Sequence, residues 1–388
     1  MQIHGMFPDP LVTVDGARVQ TAAAWPHRRV EIPHLLLGIE YGTMPDVPEI
    51  VRVRDGAWQP SGNGRRSRAD RIDFTPDGRC PDVAFSVTVT PTFPSDAEVA
   101  HRQATHPGFG RDGLPVVVVV VVYVYAGSRP HEGILGNGYA VVNYPNDTLD
   151  PMKMGQPEPG PARASYRTLF GDHYTWGSIA AWAWGASRVL DHVLTLSEVD
   201  AKCIAISEHS RNGKAALLAG ALDERFAVVN PAGSGCAGAG SYLVLGDGSE
   251  DLAALTSRER WWAWTYPEFG QWAGREPDLP LDQHFLMGLL APRPVLRTEG
   301  ADDDWANPIG TSASYLATQP IYDFLGAAGN NLVVYGEGGQ DQTEGDAQNL
   351  MAVCDEALFG IVKSKSMNDI VAGAPALDRV FDWVSPVV

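Results

Sequence analysis

Residues 202–223 read KCIAISEHSRNGKAALLAGALD and contain an apolar run, a polar turn and a helical pattern. The apolar run predicts a buried strand, and the Ala- and Leu-rich segment predicts a helix that begins near Gly213. Ser210 lies in the sharp turn between them, where a strand-to-helix connection exposes a side chain above the sheet. We therefore take Ser210 as the candidate nucleophile. The alternative is a serine that only caps the helix.

Strands and helices alternate along the chain from Pro115 onward. The further predicted strands are 115–127, 138–145, 226–234, 292–300 and 331–339, and the further helices are 175–196 and one from about Gly345. The run PVVVVVVVYVYAG at 115–127 lacks polar alternation, which indicates a strand buried on both faces. This order predicts an α/β protein whose mostly parallel sheet lies between two helical layers, with ligands bound at the carboxyl ends of the strands.

No repeat or low-complexity linker divides the 388 residues, so we expect a single domain over 1–388 with a decorated N-terminal segment of about 1–75. Within that segment, apolar residues at helical spacing predict a helix over 30–41, packed on the outside of the domain. The alternation in 82–94 predicts an antiparallel strand at the sheet edge. Trp182 and Trp184 lie inside a predicted helix and are expected in the core.

The composition limits the partners. With 29 Lys and Arg against 47 Asp and Glu, the net charge is −18, which argues against nucleic acid and anionic membrane surfaces. The N-terminus lacks the pattern of a signal peptide, and the longest apolar run has half the length of a membrane helix, so a cytoplasmic protein is expected. The chain has four scattered cysteines, which are expected to be free and buried: Cys80, Cys203, Cys236 and Cys354. No metal or other cofactor is predicted.

Three stretches carry a resemblance to a known family. They are HSRNGKAALLAGALDERFAVVNPAGSGCAGAGSY (209–242), LPLDQHFLMGLLAPRPV (279–295) and DDDWANPIG (302–310). In this order they closely resemble the glucuronoyl esterases and their bacterial relatives, a branch of the α/β hydrolases. The resemblance implies the three-layer α/β-hydrolase sandwich.

The resemblance also implies roles for several residues. Ser210 matches the nucleophile, and Arg211 matches an arginine that helps to stabilise the oxyanion, as a fixed cation should. Lys214 matches a lysine that binds the sugar; its alternative is a solvated surface lysine. Trp305 and Asp303 match the loop in which bacterial members place the acid of the triad, so Asp303 is the candidate acid and Glu299 the second.

Two positions depart from the family pattern. The family has its catalytic histidine in a Gly-Gly-His turn after the last strand, whereas this chain has Gln340 after Gly338 and Gly339. Glutamine has no accessible pKa and cannot shuttle the proton of the serine. Glu208 stands where the turn ordinarily has a glycine, and a carboxylate there would oppose an oxyanion.

Other side chains are candidates for the missing base or for the walls of the site. His173 precedes the helix at 175–196 and is the preferred alternative base. His209 is expected near the substrate and is a less favoured alternative base, because neighbours in a tight turn point apart. His131 is a weaker candidate, and His284 is expected to be structural. Trp262, with Trp261 and Trp264, is a candidate wall or lid.

The sequence leaves three functions open. We expect Ser210, Arg211, Asp303 and Gln340 to converge at one edge of the sheet and to act on an ester-bearing, anionic small molecule. The absent histidine favours atypical chemistry in biosynthesis, such as an elimination by a lyase or a cyclisation. The alternatives are a serine carboxylic-ester hydrolase that uses another histidine and a binding protein without catalytic activity. The sequence does not predict the oligomeric state.

Overall fold

The computed structural model of the chain describes residues 1–121, 129–151, 155 and 158–383. The strands are β1 Gln2–Ile3, β2 Ile50–Arg54, β3 Gln59–Pro60, β4 Arg66–Ser67, β5 Asp70–Thr75, β6 Phe85–Phe93, β7 Leu114–Val121, β8 Ala140–Pro145, β9 Val199–His209, β10 Val228–Ala232, β11 Val244–Leu245, β12 Val295–Gly300 and β13 Asn331–Gly336. The α-helices are α1 Trp25–Leu36, α2 Asp96–Thr105, α3 Arg129–Gly136, α4 Pro161–Phe170, α5 Ser178–Val193, α6 Ser210–Leu222, α7 Leu252–Leu255, α8 Gln283–Gly288, α9 Pro308–Phe324 and α10 Glu344–Phe359.

One large sheet organises the described residues. Its order is β13-β12-β10-β9-β7-β8-β6-β4-β3, with β5 and β2 attached beside β6. The strands from β13 to β8 are parallel, and the remainder are antiparallel. Parallel strands require crossover connections, and α5 and α6 provide two of them. The predicted α/β fold with a mostly parallel sheet is confirmed.

The central strands bury both of their faces, as the apolar sequence runs predict. In β9, Ile204 and Ile206 pack into the largest core cluster, which includes α5, α6 and α8, while Ala205 faces a second cluster. That second cluster contains residues of α3 and α10 on the opposite face. Helices therefore cover both faces of the sheet, which gives the three-layer sandwich. Trp182 and Trp184 are buried in the larger core, as predicted.

The N-terminal part departs in two details from the sequence expectation. The helix predicted over 30–41 begins earlier, at Trp25 beside Pro26, and its last turn is a π-helical turn over Leu37–Tyr41. The strand β6 is antiparallel as predicted but does not lie at the edge, because β4 and β5 pair with it. The final part of the strand predicted over 115–127, residues 122–127, lies outside the described residues.

Two further sequence expectations concern helices and cysteines. None of the helices in the described ranges combines the length and apolar character that crossing a bilayer requires. The four cysteines are free, and three of them are buried: Cys203, Cys236 and Cys354. Cys80 is only half-buried, because it lies in the turn between β5 and β6.

Candidate active site

Ser210 lies at the junction of β9 and α6 in a left-handed backbone conformation, with φ of 57°. A non-glycine residue in this region costs about 1–3 kcal/mol and persists only where the surrounding structure imposes it. Gly213 allows the close packing behind the turn, because a Cβ there would lie 2.8 Å from the carbonyl oxygen of Ala232. The serine thus stands in a strained turn at the carboxyl end of the sheet, as a nucleophile does in this class of fold.

Ser210 opens onto a cavity of about 190 Å³. The loops that follow β9, β10, β12 and β13 all reach it, because the carboxyl ends of these parallel strands meet at one edge. The described residues that line it are Ser210, Arg211, Lys214, Gly233, Ser234, Gly235, Glu250, Arg260, Trp261, Trp264, Trp305, Ala306 and Gln340. Polar groups and aromatic walls of this kind suit a sugar-sized, polar ligand.

Gln340 lies beside Ser210. Its Nε2 donates a hydrogen bond to Ser210 Oγ at 3.0 Å. The contact brings Gln340 to Ser210, and Arg211 lines the same cavity, so these three residues lie together where the sequence predicted them. None of the ten histidines of the chain is among the described residues that line the cavity. That Gln340 takes the place of a catalytic histidine stays a prediction.

Lys214 is buried beneath the cavity and is not the solvated lysine that the sequence left open. Its Nζ donates hydrogen bonds to the carbonyl oxygens of Ser234, at 2.8 Å, and Cys236. The same Nζ lies 3.7 Å from Oε2 of Glu250, which is also buried. Burial raises the pKa of the Glu250 carboxyl, and the charge of Lys214 opposes that rise. Lys214 thus has backbone partners and a carboxylate beside it at the wall of the cavity.

The candidate acids lie at the expected sheet edge but outside the cavity wall. Asp303 follows β12 and accepts a hydrogen bond from the N–H of Ala306 at 3.3 Å. Burial raises its pKa, and the nearby His209 ring opposes the rise. Glu299 is buried in β12, and burial holds the pKa of its carboxyl well above the usual range. The convergence expected for Asp303 is therefore partial, because its carboxyl lies outside the cavity wall and forms no hydrogen bond with Gln340 among the described contacts.

His209 does not line the cavity, which corrects its expected position near the substrate. Its ring packs against Gly233, where an added Cβ would lie 2.7 Å from His209 Nε2. Burial lowers the pKa of the ring. The side chains of consecutive residues point in different directions at this turn, and Ser210 takes the direction of the cavity.

Three further sequence expectations are resolved by position. His173 is exposed in a short 3₁₀ turn and lies outside the cavity wall, so it is not placed to act as the base.

Trp262 lines a separate groove with Tyr174 and Tyr266, whereas its neighbours Trp261 and Trp264 face Ser210. Their positions in the chain did not reveal which of the three faces the site. His284 is buried, and its Nε2 is 2.8 Å from the carbonyl oxygen of Pro8, a position that agrees with the structural role expected of it.

The protonation state of Glu208 explains how an acidic residue can lie two positions before Ser210. Burial raises its pKa to about 8, against the opposing effects of a hydrogen bond from the His209 N–H and the charge of Arg211. That hydrogen bond measures 2.9 Å. The carboxyl is therefore largely protonated at neutral pH and does not place a full negative charge beside a developing oxyanion.

Sequence reasoning missed two charged residues of the cavity wall, Glu250 and Arg260. Both lie in the long connection between β10 and β12, where the regular elements nearest to them, β11 and α7, have only two and four residues and give no periodic pattern. The guanidinium of Arg260 stacks on the ring of Trp305, with its central carbon 4.5 Å from the ring centroid. Trp305 was predicted at the site and does line it.

A serine in a left-handed strand-to-helix turn, above a mostly parallel sheet with helices on both faces, defines an α/β-hydrolase. The family model described as "Glucuronyl esterase, fungi" matches residues 97–326. The carbohydrate esterase MZ0003, from an unknown prokaryotic organism, is 31% identical over 352 residues, which cover 83% of this chain and 79% of that protein. The chain therefore belongs to the glucuronoyl esterase family.

Two more relatives agree with this assignment. A 4-O-methyl-glucuronoyl methylesterase from Phanerochaete carnosa is 28% identical over 84% of this chain and 73% of its own length. A solved glucuronoyl esterase of carbohydrate esterase family 15 from Caldicellulosiruptor kristjansonii superposes with a TM-score of 0.79, at 28% identity, over 100% of this chain and 98% of that one. The comparisons give no support to lyase or cyclase chemistry and favour the alternative of ester hydrolysis.

Proposed function

We propose that this protein hydrolyses carboxylic esters of glucuronic acid, with Ser210 as the nucleophile. The observation that carries the proposal is the left-handed conformation of Ser210 at the edge of a cavity that Arg211, Lys214 and Glu250 also line. The relatives named as glucuronoyl esterases and 4-O-methyl-glucuronoyl methylesterases support this class of substrate.

The geometry suits an acyl transfer in two steps. Ser210 Oγ attacks the ester carbonyl carbon, the C–O bond to the alcohol breaks, and water then hydrolyses the acyl-serine to release the acid. Arg211, half-buried beside the serine, is placed to stabilise the negative charge on the carbonyl oxygen, together with backbone N–H groups at the start of α6. These groups act on charge that is present only in the transition state, so they contribute to rate and not only to binding.

The sugar is held by the other wall of the cavity. Lys214 uses two of its three N–H groups on backbone carbonyls, which leaves one for Glu250 or a sugar hydroxyl. The Glu250 Oε1 atom is buried without a hydrogen-bond partner among the described residues. Because a buried oxygen without a partner is costly, a sugar hydroxyl that donates to it gains binding energy.

Gln340 limits the rate. A hydrogen bond from its amide orients Ser210 Oγ, yet the amide cannot remove the proton as a histidine does. We therefore expect slow hydrolysis, with Ser210 still essential. The same hydrogen bond favours a second candidate function, the binding of a uronic ester without turnover.

The two candidates separate in one set of measurements. The wild type and Ser210→Ala are compared in the hydrolysis of methyl glucuronate and in covalent labelling by a fluorophosphonate, detected by intact mass. We expect slow turnover and labelling in the wild type and neither in S210A. Wild-type turnover no higher than that of S210A, with the ester still bound, would instead establish the binding function.

A further inference from the structure

The segment 258–262, with the sequence RERWW, separates two hollows of the surface. Arg260 and Trp261 line the cavity at Ser210, whereas Trp262 lines the neighbouring groove. Each arginine of the segment stacks on a different tryptophan. The guanidinium carbon of Arg260 lies 4.5 Å from the ring centroid of Trp305, and that of Arg258 lies 3.9 Å from that of Trp262.

Arg260 shares its nearest carboxylate in the cavity, Glu250, with Lys214, because the charges of both cations lower the pKa of that carboxyl. Three cationic side chains line the cavity, Arg211, Lys214 and Arg260, whereas Glu250 is the one carboxylate among the described lining residues. Glu250 lies beside Lys214, at 3.7 Å. Within the described part of the chain, Arg260 forms no ion pair. Among the described lining residues, cations therefore outnumber carboxylates by three to one, in a protein whose net charge is −18.

Arg260 is also held at a fixed place. Its guanidinium covers one face of Trp305, and its backbone carbonyl accepts a hydrogen bond from the N–H of Gly155 at 2.8 Å. Stacking leaves the edge of a guanidinium free to donate hydrogen bonds in its own plane. A planar fork of N–H donors, with little freedom left to lose, matches a carboxylate in a bidentate geometry.

We propose that Arg260 determines specificity by binding a free carboxylate of the substrate, separate from the esterified carboxyl group that reacts at Ser210. The proposal rests on the proposed function and extends it to the substrate class: esters of uronic acids that carry a second, free acid group. That group lies either on a neighbouring uronic acid unit or on the alcohol of the ester. Because the protein surface is strongly acidic, a local cation is needed to accept such a group.

The test measures binding in the Ser210→Ala background, so that it does not depend on turnover. Two ligand pairs are used, and each compares a free carboxylate with its neutral carboxamide. In one pair the group lies on a sugar linked to the esterified glucuronic acid, and in the other on the alcohol. Binding is followed by the fluorescence of the tryptophans that line the cavity, Trp261, Trp264 and Trp305.

We expect S210A to bind the carboxylate member of at least one pair about tenfold more tightly, the size of one charge-assisted hydrogen-bonded contact. The pair that shows the preference identifies the source of the carboxylate. Adding Arg260→Met should abolish the preference, whereas Arg258→Met should preserve it. The second variant removes the same charge and the same kind of stacking two residues away, outside the cavity.

Two results would overturn the proposal: no preference for carboxylate in either pair, or an equal loss of preference in R258M and R260M. The second result would indicate a long-range field and not a contact. Response to the neutral carboxamides shows that each variant is folded. If the wild type proves inactive while S210A shows an Arg260-dependent preference, the proposed function fails and the binding of the carboxylate by Arg260 stands.

Discussion

Gln340 Nε2 donates a hydrogen bond to Ser210 Oγ across 130 residues of sequence, at 3.0 Å. The contact gives the Ser210 hydroxyl a neutral amide as its partner. An amide can orient a hydroxyl but cannot take its proton. If Ser210 is the nucleophile, as we propose, the site holds its nucleophile and its cations but has a neutral partner on the serine.

Gln340→His should raise ester hydrolysis. Proton transfer by a positioned histidine contributes roughly 10²- to 10⁴-fold. We expect a smaller increase in kcat/KM for methyl glucuronate, of at least about tenfold, because Asp303 is not hydrogen-bonded at position 340 and would orient the new ring incompletely. Gln340→Asn, which keeps the amide, is the matched control and should show no gain. A Q340H variant no faster than Q340N would mean that the wild type already uses another base.

Arg211→Ala should lower kcat by on the order of a hundredfold, because a fixed cation beside the nucleophile acts on charge that develops in the transition state. Steady-state kinetics on methyl glucuronate separate this from weaker binding, which would raise KM instead. Arg211→Lys keeps the charge without the planar fork and should recover part of the loss. A decrease in kcat below about threefold for R211A would remove the arginine from the mechanism.

Glu208→Gln should change the pH dependence of activity. The pKa of Glu208 is raised to about 8 by burial, so the wild-type carboxyl ionises above that pH and places a negative charge beside the oxyanion. We expect wild-type kcat/KM to fall as pH rises through about 8 and that of E208Q to lack this decrease. Profiles that coincide in the alkaline range would show that Glu208 does not influence the reaction.

The same substitution predicts a change in stability with pH. The folded state keeps the proton of Glu208 up to about pH 8, whereas the unfolded chain releases it near its ordinary pKa of 4.5. The free energy of unfolding contributed by this group is therefore greatest below about pH 4.5 and decreases as pH rises to about 8. The melting temperature of E208Q minus that of the wild type should therefore increase as the pH rises from about 5 to about 9. An unchanged difference would contradict the buried state of the carboxyl.

Gly213→Ala should destabilise the protein and impair catalysis together. The added Cβ would lie 2.8 Å from the Ala232 carbonyl oxygen, so α6 and the turn at Ser210 must shift. Overpacking of this kind costs about 1–3 kcal/mol, measurable by urea unfolding. Gly329→Ala is the matched control, because a Cβ there meets nothing within 4 Å. Equal behaviour of the two variants would refute the close packing behind the nucleophile.

The sequence by itself determined the order of elements and the place of the candidate nucleophile. Residues 203–206 of β9 and 228–229 of β10 are β-branched or small apolar residues, and such runs become buried strands wherever helices cover both faces. The turn at Ser210 is equally local, since a strand, a polar turn and a helix within one short segment leave few conformations for the residue between them. These features depend on near neighbours in the chain, which is why they were predictable.

Only the tertiary structure decided which of the remaining side chains face the cavity. Glu250 and Arg260 come from a long connection in which the nearest regular elements are very short, and Trp261 faces Ser210 while Trp262 lines the neighbouring groove. His209 adjoins the nucleophile in sequence but lies against Gly233. Burial raises the pKa of the Glu208 carboxyl that the sequence showed only as an acid. The direction of a side chain and the solvation of a charge depend on how distant loops pack over a turn, and local sequence preferences do not encode that packing.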